Sequence, residues 1–223
     1  MKIAGCDLSI SSSGVVIEDL DDSFEVKSIN YYGFTQKKKL ERSNIILYKN
    51  KDYTCDYQKY IMMVDKILEW CKDCEYIAVE DYAYGANGSM GMVFNLAEFE
   101  GNVKVGLTRD GKKLRLYAVN QIKKFFSTYG LSDKIGMWTA FNSYAEVKPD
   151  LSDLPIVDSG HGVGPTSDII DAYAICEFLR KELRVRNGID SVDEQPKHIK
   201  DCLTTATKEH PNGVLGAEFI QRA

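Results

Sequence analysis

Four acidic residues of this chain stand where their carboxylates could act together. Asp7 and Glu80 each end a short apolar run of the kind that forms a strand. Asp168 and Asp171 lie three positions apart, so on a helix both side chains share one face. Adjacent parallel strands would place the first pair side by side, and a helix over that sheet would add the second pair. The sequence therefore predicts a cluster of four carboxylates.

A cluster of this kind needs a cation. Like charges held close together repel one another and raise the pKa values of the group. Hard divalent ions with oxygen ligands meet that need, and Mg²⁺ and Mn²⁺ are the natural choices. Two ions roughly 4 Å apart could orient an attacking water and stabilise the leaving oxygen of a phosphodiester. The residue types thus predict hydrolysis assisted by two Mg²⁺ ions, for which Mn²⁺ could substitute.

Each acid also has a structural interpretation when it is taken alone. An Asp at the end of a strand is commonly a turn residue, which would account for Asp7. Acids near a helix N-terminus are common because they offset the helix dipole, which would account for Asp168 and Asp171. Only the combination of the four contexts favours catalysis.

The elements that must position these acids follow from the apolar pattern. Short apolar or aromatic runs bounded by turn residues predict five strands. The strands are expected at residues 3–6, 15–17, 24–34, 76–79 and 114–119. Helices are expected at about 57–71, 93–107, 120–129, 132–144 and 165–183, with a possible short helix at 197–205.

Two finer expectations accompany this assignment. Asn120 is expected to be the N-cap of its helix, and the basic segment 37–51 is expected to be irregular or partly helical. Three strands joined as hairpins, followed by β–α–β alternation, predict an α/β fold with a mixed five-stranded sheet. Its first three strands should be antiparallel, and helices should cover both faces.

The charge distribution bears on nucleic-acid binding. The net charge of −5 argues weakly against a nucleic-acid partner. Segment 37–51, however, carries six basic residues against the single acid Glu41, and segment 104–134 carries eight against two. Local basic segments can bind phosphates because affinity depends on the charges that face the backbone. The alternative is that these segments are simply a solvated surface.

The lack of a predicted membrane span or signal sequence, together with the cysteine content, indicates a cytoplasmic protein. No apolar run approaches the ~20 residues that span a bilayer, and Met1 leads into a strand rather than a signal sequence. The six cysteines are too few for a disulfide framework in a chain of 223 residues. Cys71 and Cys74 have the spacing of half a zinc site. The sequence offers no second Cys or His pair to complete such a site, so we expect both cysteines to be structural.

Several motifs resemble those of RuvC-type Holliday junction resolvases. The acidic motifs are matched by DLSISSSG at 7–14, VED at 79–81 and SDIIDA at 167–172. LAEFEG at 96–101 is similar to the helix after the second acid, and YAVNQIKK at 117–124 to the basic stretch before the catalytic helix. The resemblance spans about residues 1–185 and implies an RNase H-like fold. Leu8 and Ser9 replace the Pro-Gly of bacterial members, so phage-borne relatives resemble the chain better.

The resemblance also implies roles for individual residues. The metal ligands would be Asp7, Glu80, Asp168 and Asp171. Lys134 would assist catalysis near the scissile phosphate. The DNA-binding residues would be Lys123, Lys124, Lys134, Tyr82, Tyr84, Lys37, Lys38 and Lys39. The two tyrosines could stack on an unpaired base or merely pack their loop, and His161 could be an auxiliary acid or base or a plain loop residue.

Together these features predict a Mg²⁺-dependent endonuclease that cuts four-way and three-way DNA junctions. Residues 1–186 would be the nuclease domain and 187–223 a C-terminal extension packed on it. Two strands must be nicked symmetrically, which favours a homodimer. A phage-encoded protein would act in the host cytoplasm. The rivals are a branched-DNA-binding protein without catalysis and a phosphotransferase of the actin and sugar-kinase class, which would normally be longer.

Overall fold

The computed structural model describes residues 1–35, 39–42, 44–50, 53, 55–81, 90–145 and 164–222. Within these residues the strands are β1 (Lys2–Asp7), β2 (Gly14–Leu20), β3 (Val26–Thr35), β4 (Leu40–Arg42), β5 (Ile45–Lys49), β6 (Tyr76–Glu80) and β7 (Lys113–Tyr117). They form one mixed sheet in the order β4-β5-β3-β2-β1-β6-β7. As predicted, the first three strands are antiparallel, and β6 and β7 run parallel to β1.

The helices flank this sheet. They are α1 (Asp56–Cys71), α2 (Met90–Arg109), α3 (Val119–Ser127), α4 (Lys134–Tyr144), α5 (Pro165–Arg186) and α6 (Lys197–Thr204), with a 3₁₀ turn at Val192–Glu194. None of the helices in the described ranges is long and apolar enough to cross a bilayer.

The prediction of five strands was wrong, because the described residues form seven. The two extra strands, β4 and β5, lie in the basic segment that was expected to be irregular or helical. In β5, Ile45 and Leu47 are buried while Ile46 and Tyr48 are only partly buried, which is the alternation of a strand with one face on the core. Flanking lysines masked this short apolar run. Strand β5 pairs in parallel with β3, so the sheet continues past the opening hairpins.

The expected N-cap was also wrong. Helix α3 begins at Val119 with Ala118 as its N-cap, so Asn120 lies in the first turn. Gln121 and Ile122 both donate their backbone N–H to the Ala118 carbonyl, at 2.9 and 3.1 Å. The chain therefore turns into the helix directly after β7, which ends at Tyr117.

Two apolar cores lie on opposite faces of the sheet. Ile3 and Val16 pack with residues of α3, α4, α5 and α6, whereas Ala4 and Cys6 pack with residues of α1 and α2. Successive side chains of a strand point to opposite faces, so β1 contributes to both cores in turn. The prediction of helices on both faces is confirmed.

Two glycines let α5 lie directly on the opening hairpin. A Cβ at Gly5 would come within 2.4 Å of the Ala172 carbonyl oxygen, and one at Gly14 within 2.3 Å of the Asp168 carbonyl oxygen. Either contact is closer than any side chain tolerates, so a larger residue would push the helix away. This close approach brings the first turns of α5 to the ends of the central strands.

The C-terminal residues pack on the far edge strand, β7. Ile220 forms an antiparallel bridge with Leu114, with backbone hydrogen bonds of 2.8 and 2.9 Å. Beside it, Arg115 is 1% exposed and donates to the fully buried Glu182 of α5 at 2.6 and 3.1 Å. Arg186 adds a third charge to this group. Arg115 and Arg186 also donate to the Ala217 carbonyl at 3.0 and 2.6 Å, so this network holds the segment after α5 against the sheet.

Candidate active site

The ends of two central strands carry the first two acids. Asp7 is the last residue of β1 and Glu80 the last of β6, and these strands are parallel neighbours in which Cys6 pairs with Val79. The next position along both strands therefore sets Asp7 beside Glu80. Two residues earlier, Gly5 contacts α5 and Ala78 belongs to the same core as that helix. By strand alternation both carboxylates face α5.

Helix α5 supplies the other two acids. It begins at Pro165, a residue suited to the first helical turn, so Asp168 and Asp171 lie in its first two turns. The close contact between Gly14 and the Asp168 backbone places this part of the helix over the strand ends. The structure thus brings together the four carboxylates that the sequence singled out.

Electrostatics show how strongly the carboxylates act on one another. Burial raises the pKa of Asp7 well above its ordinary value, and repulsion from Asp168, Asp171 and Glu80 raises it further. A smaller contribution comes from Glu100 of α2. Because a carboxyl group with a raised pKa resists ionisation, the site favours any cation that would neutralise it.

The pKa of Glu80 is raised by the same causes. Burial raises its pKa to about 8, and the negative charges of Asp171 and Glu100 contribute to the rise. Lys123 and Lys104 act in the opposite direction and lower it in part. The lysines therefore offset the acidic cluster without balancing it.

The two acids of α5 are easier to ionise. Burial raises the pKa of each to about 6. For Asp168 the rise is limited by hydrogen bonds from Ser12 and Ser167 and by the charge of Lys134. For Asp171 repulsion from Asp168 adds to the rise, and lysines again oppose it. All four pKa values are raised, with burial as the largest cause.

A fifth acid near the site was missed by the sequence reasoning. Glu100 is buried on α2 and accepts a hydrogen bond from Lys104 at 2.9 Å, and Lys104 also lies 4.0 Å from Asp81. The available signal was the Glu100–Lys104 pair at i and i+4 of a predicted helix. It was hidden because such pairs usually lie on exposed helix faces.

The lysines expected near the phosphate differ in their surroundings. Lys123 of α3 and Lys134 of α4 line a cavity of about 110 Å³ together with Asp171 and Ser167. Lys134 also donates to the Ser167 hydroxyl at 3.5 Å. Lys124, in contrast, lies 2.9 Å from Asp201 of α6, so its charge is already paired.

Other predicted DNA contacts fall away from the acids or outside the described residues. Lys39 precedes β4, which lies four strands from β1 in the sheet, or about 19 Å at the usual strand spacing. Its ammonium group lies 2.6 Å from a carboxylate oxygen of Glu41. The residues outside the described part of the chain are Lys37, Lys38, Tyr82, Tyr84 and His161.

The donor set fits a hard divalent cation in its chemistry, although the spacing of the described side chains does not form a complete coordination site. Among the described residues, no three acidic, Cys or His side chains converge closely enough to hold an ion. Four half-buried carboxylates with raised pKa values are nonetheless the oxygen-only, negatively charged set that Mg²⁺ and Mn²⁺ prefer. Binding would require the carboxylates to draw closer together.

Solved structures of RuvC share the architecture of this chain. A Thermus thermophilus RuvC structure matches with a TM-score of 0.52 and 16% identity, covering 84% of this chain and 96% of that one. The chain has the RuvC fold. T. thermophilus RuvC in complex with a Holliday junction substrate matches with a TM-score of 0.54 and 17% identity, over 85% and 97% of the two chains. The predicted RuvC-like architecture is therefore confirmed.

A third structure extends the RuvC fold to a eukaryotic protein. The yeast mitochondrial Holliday junction resolvase Ydc2 matches with a TM-score of 0.51 and 12% identity, over 83% of this chain and 80% of that one. No family profile matches the chain, and no curated protein matches it in sequence. Identities this low establish a shared fold, and the chemistry must be argued from the site.

Proposed function

We propose that this protein is a Mg²⁺-dependent endonuclease that cuts branched DNA by two-metal hydrolysis. The observation that carries the proposal is that four half-buried carboxylates, from β1, β6 and α5, lie at the ends of the central strands of a RuvC fold. Removing like charges from water without a partner is unfavourable, so clusters of carboxylates with raised pKa values are typical of functional sites.

Each group of residues has a distinct task in this proposal. Asp7, Glu80, Asp168 and Asp171 would hold the metal ions. The ions, when bound, would activate a water molecule and stabilise the leaving oxygen. Lys134 lies in the cavity beside the acids, where its charge can offset the negative charge that develops on the phosphate. The fixed strand ends and the closely packed helix keep these groups in place.

The proposed substrate is branched DNA, including four-way and three-way junctions. The RuvC and Ydc2 structures that share the fold are described as junction-bound or as junction resolvases. Lys123 and Lys134 provide positive charge at the mouth of the acidic site. Binding through such charges is expected to weaken steeply as salt is raised.

We also propose a homodimer and a single folded unit. Helices α1 and α2 pack together and expose apolar side chains, among them Phe94 at 67% and Ile61 at 52% exposure, which a second copy could cover. Residues 1–186 would form the nuclease domain. Buried Leu203 and Val214 support an extension, 187–223, that packs on this domain.

The test is a labelled four-way junction incubated with the protein, with and without Mg²⁺. We expect nicking only with the metal, and tighter binding to four-way and three-way junctions than to a linear duplex of equal length. Equal affinity for the linear duplex at moderate salt would remove the branched-DNA proposal. Absence of cleavage with either Mg²⁺ or Mn²⁺ would remove the enzymatic one.

One observation favours a second candidate, a junction-binding protein without catalysis. The described acids do not converge into ready metal geometry. Asp7→Asn distinguishes the two candidates, because a scaffold would bind junctions unchanged and show no metal-dependent nicking to lose.

A further inference from the structure

The loop between β1 and β2 is held by its own serine side chains. The Ser9 backbone N–H donates to the Ser13 hydroxyl at 3.0 Å, and that hydroxyl donates to the Ser9 carbonyl at 2.7 Å. The Ser12 N–H donates to the Ser9 hydroxyl at 3.1 Å. Local bonds of this type fix a turn that would otherwise sample several conformations. The loop is therefore ordered by the residues that give it its unusual composition.

Neighbouring elements hold the same loop from outside. The buried Asn50, at the end of β5, donates its side-chain amide to the Ser11 carbonyl at 3.1 Å. Phe34 of β3 donates its backbone N–H to the Ser13 carbonyl at 3.2 Å. Because the loop is held on two sides, a side chain on it can keep a fixed position relative to the neighbouring helix.

That side chain is Ser12, whose hydroxyl reaches the acidic site. The Ser12 hydroxyl donates to Oδ2 of Asp168, across 156 residues of sequence. The Ser167 hydroxyl lies 3.2 Å from the other oxygen, Oδ1, and 2.9 Å from the Gly164 carbonyl, so its one proton is shared between two acceptors. Ser167 in turn accepts from Lys134 at 3.5 Å. Both carboxylate oxygens of Asp168 are thus held, one from the loop and one from its own helix.

We propose that Ser12 is a positioning residue that fixes the Asp168 carboxylate for a divalent cation. The inference rests on the proposed function, because Asp168 is a metal ligand only if the protein is a metal-dependent nuclease. A carboxylate oxygen has two lone pairs, so an oxygen that accepts from Ser12 can still ligate an ion. Hydrogen bonds to a metal ligand from outside the coordination sphere commonly change metal affinity by 10- to 100-fold.

The experiment compares three variants of the full chain. Ser12→Ala removes the hydroxyl, Ser12→Thr keeps it, and Ser11→Ala removes a hydroxyl from the same loop that does not reach Asp168. Isothermal titration calorimetry measures Mn²⁺ affinity without DNA, so the result does not depend on cleavage. Thermal melting of each variant confirms that it is folded.

Ser12→Ala should weaken Mn²⁺ binding about tenfold, and Ser12→Thr and Ser11→Ala should bind as the parental protein does. The Mg²⁺ concentration that gives half-maximal nicking should rise in parallel for Ser12→Ala alone. The inference falls if Ser12→Ala binds Mn²⁺ normally, if Ser12→Thr is as weak as the alanine variant, or if Ser11→Ala loses as much affinity. A parental protein that binds no Mn²⁺ would instead remove the proposed function as well.

Discussion

Two charged groups at different places on the sheet, one buried and one half-buried, differ in how their charges are compensated. At the outer edge, Glu182 accepts from Arg115 at 2.6 and 3.1 Å, from Arg186 at 2.6 Å and from the Tyr117 hydroxyl at 2.5 Å. The arginines also donate to backbone carbonyls such as that of Ala217, at 3.0 and 2.6 Å. Every charge in this network has a partner of opposite sign or a hydrogen bond.

The acidic site shows the reverse arrangement. Asp7, Glu80, Asp168 and Asp171 lie around the same strand ends, and burial raises all four of their pKa values. Repulsion between carboxylates adds to the rise for Asp7, Glu80 and Asp171. Removing a charge from water is unfavourable unless a partner compensates it. The outer network is compensated by opposite charges and so contributes to structure. Lysines and the Ser12 and Ser167 hydroxyls offset the acidic site only in part, so a bound cation would stabilise it.

The largest effect is expected from Asp7→Asn. The neutral isostere removes a ligand and keeps the size of the side chain, so nicking in Mg²⁺ should fall by about 1,000-fold, or roughly 4 kcal/mol. The melting temperature without metal should be unchanged or higher, because repulsion within the cluster is relieved. Nicking rate, junction gel shift and thermal melting on the same preparation check this.

Glu80→Gln is the companion of Asp7→Asn and should behave in the same way. A folded Asp7→Asn protein that nicks at the parental rate would contradict the two-metal proposal. An unfolded one would show that Asp7 is structural. Ca²⁺ should support junction binding with little cutting, because its looser geometry positions the attacking water poorly.

Glu182→Gln should show the opposite pattern. Removing one partner leaves the buried charge of Arg115, which is 1% exposed, uncompensated. Breaking a buried pair in this way typically costs about 3–5 kcal/mol of unfolding free energy. Urea denaturation measures the loss, and nicking per folded molecule should stay near the parental value. A variant as stable as the parental protein would show that the network contributes little.

The acidic site and the outer ionic network also differ in how far they could be predicted from the sequence. Asp7 and Glu80 could be placed because each ends an apolar run, and a parallel pairing of those runs leaves few alternatives. The Arg115–Glu182 pair is separated by 67 residues and carries no local signal, so only the fold reveals it. Glu100 was missed for a similar reason, because an i,i+4 pair gives no indication of its burial.

Local patterns failed where tertiary pairing decided the outcome. Strand β5 forms because β3 offers it an edge, and its flanking lysines obscured a short apolar run. Asn120 has the chemistry of a cap, yet the turn after β7 starts the helix at Val119. The acids were predictable because their spacing is a property of single elements, whereas register and caps depend on neighbours.

The stability of the metal-free protein should depend on pH because of the acidic site. Burial raises the pKa of Glu80 from its ordinary value of 4.5 to about 8 in the folded protein. Between these values the folded state binds more protons than the unfolded chain, so stability should fall as pH rises from 5 to 8. The melting temperature should drop by roughly 10 °C over this range, and saturating Mg²⁺ should reduce the drop.

Glu80→Gln is the control for the pH effect, because it removes the titrating group. Its melting temperature should change less between pH 5 and 8 than that of the parental protein. The buried Glu18, whose pKa is also raised well above its ordinary value, remains in both proteins and cancels in the comparison. An equal pH dependence in the two proteins would contradict the assignment to Glu80.

The smallest effect distinguishes two lysines, Lys134 and Lys124, that the sequence analysis both assigned to DNA binding. Lys134 lines the cavity beside Asp171 and contacts Ser167, whereas Lys124 lies 2.9 Å from Asp201. Lys134→Ala should slow cleavage about tenfold and weaken junction binding less, because a charge near the reacting phosphate matters most in the transition state. Lys124→Ala should change cleavage little, since its charge is already paired. Single-turnover nicking and junction affinity, measured at one salt concentration, separate the two effects. If Lys134→Ala lowers affinity alone, Lys134 is a backbone contact and the carboxylates, with their ions, act on the phosphate without it.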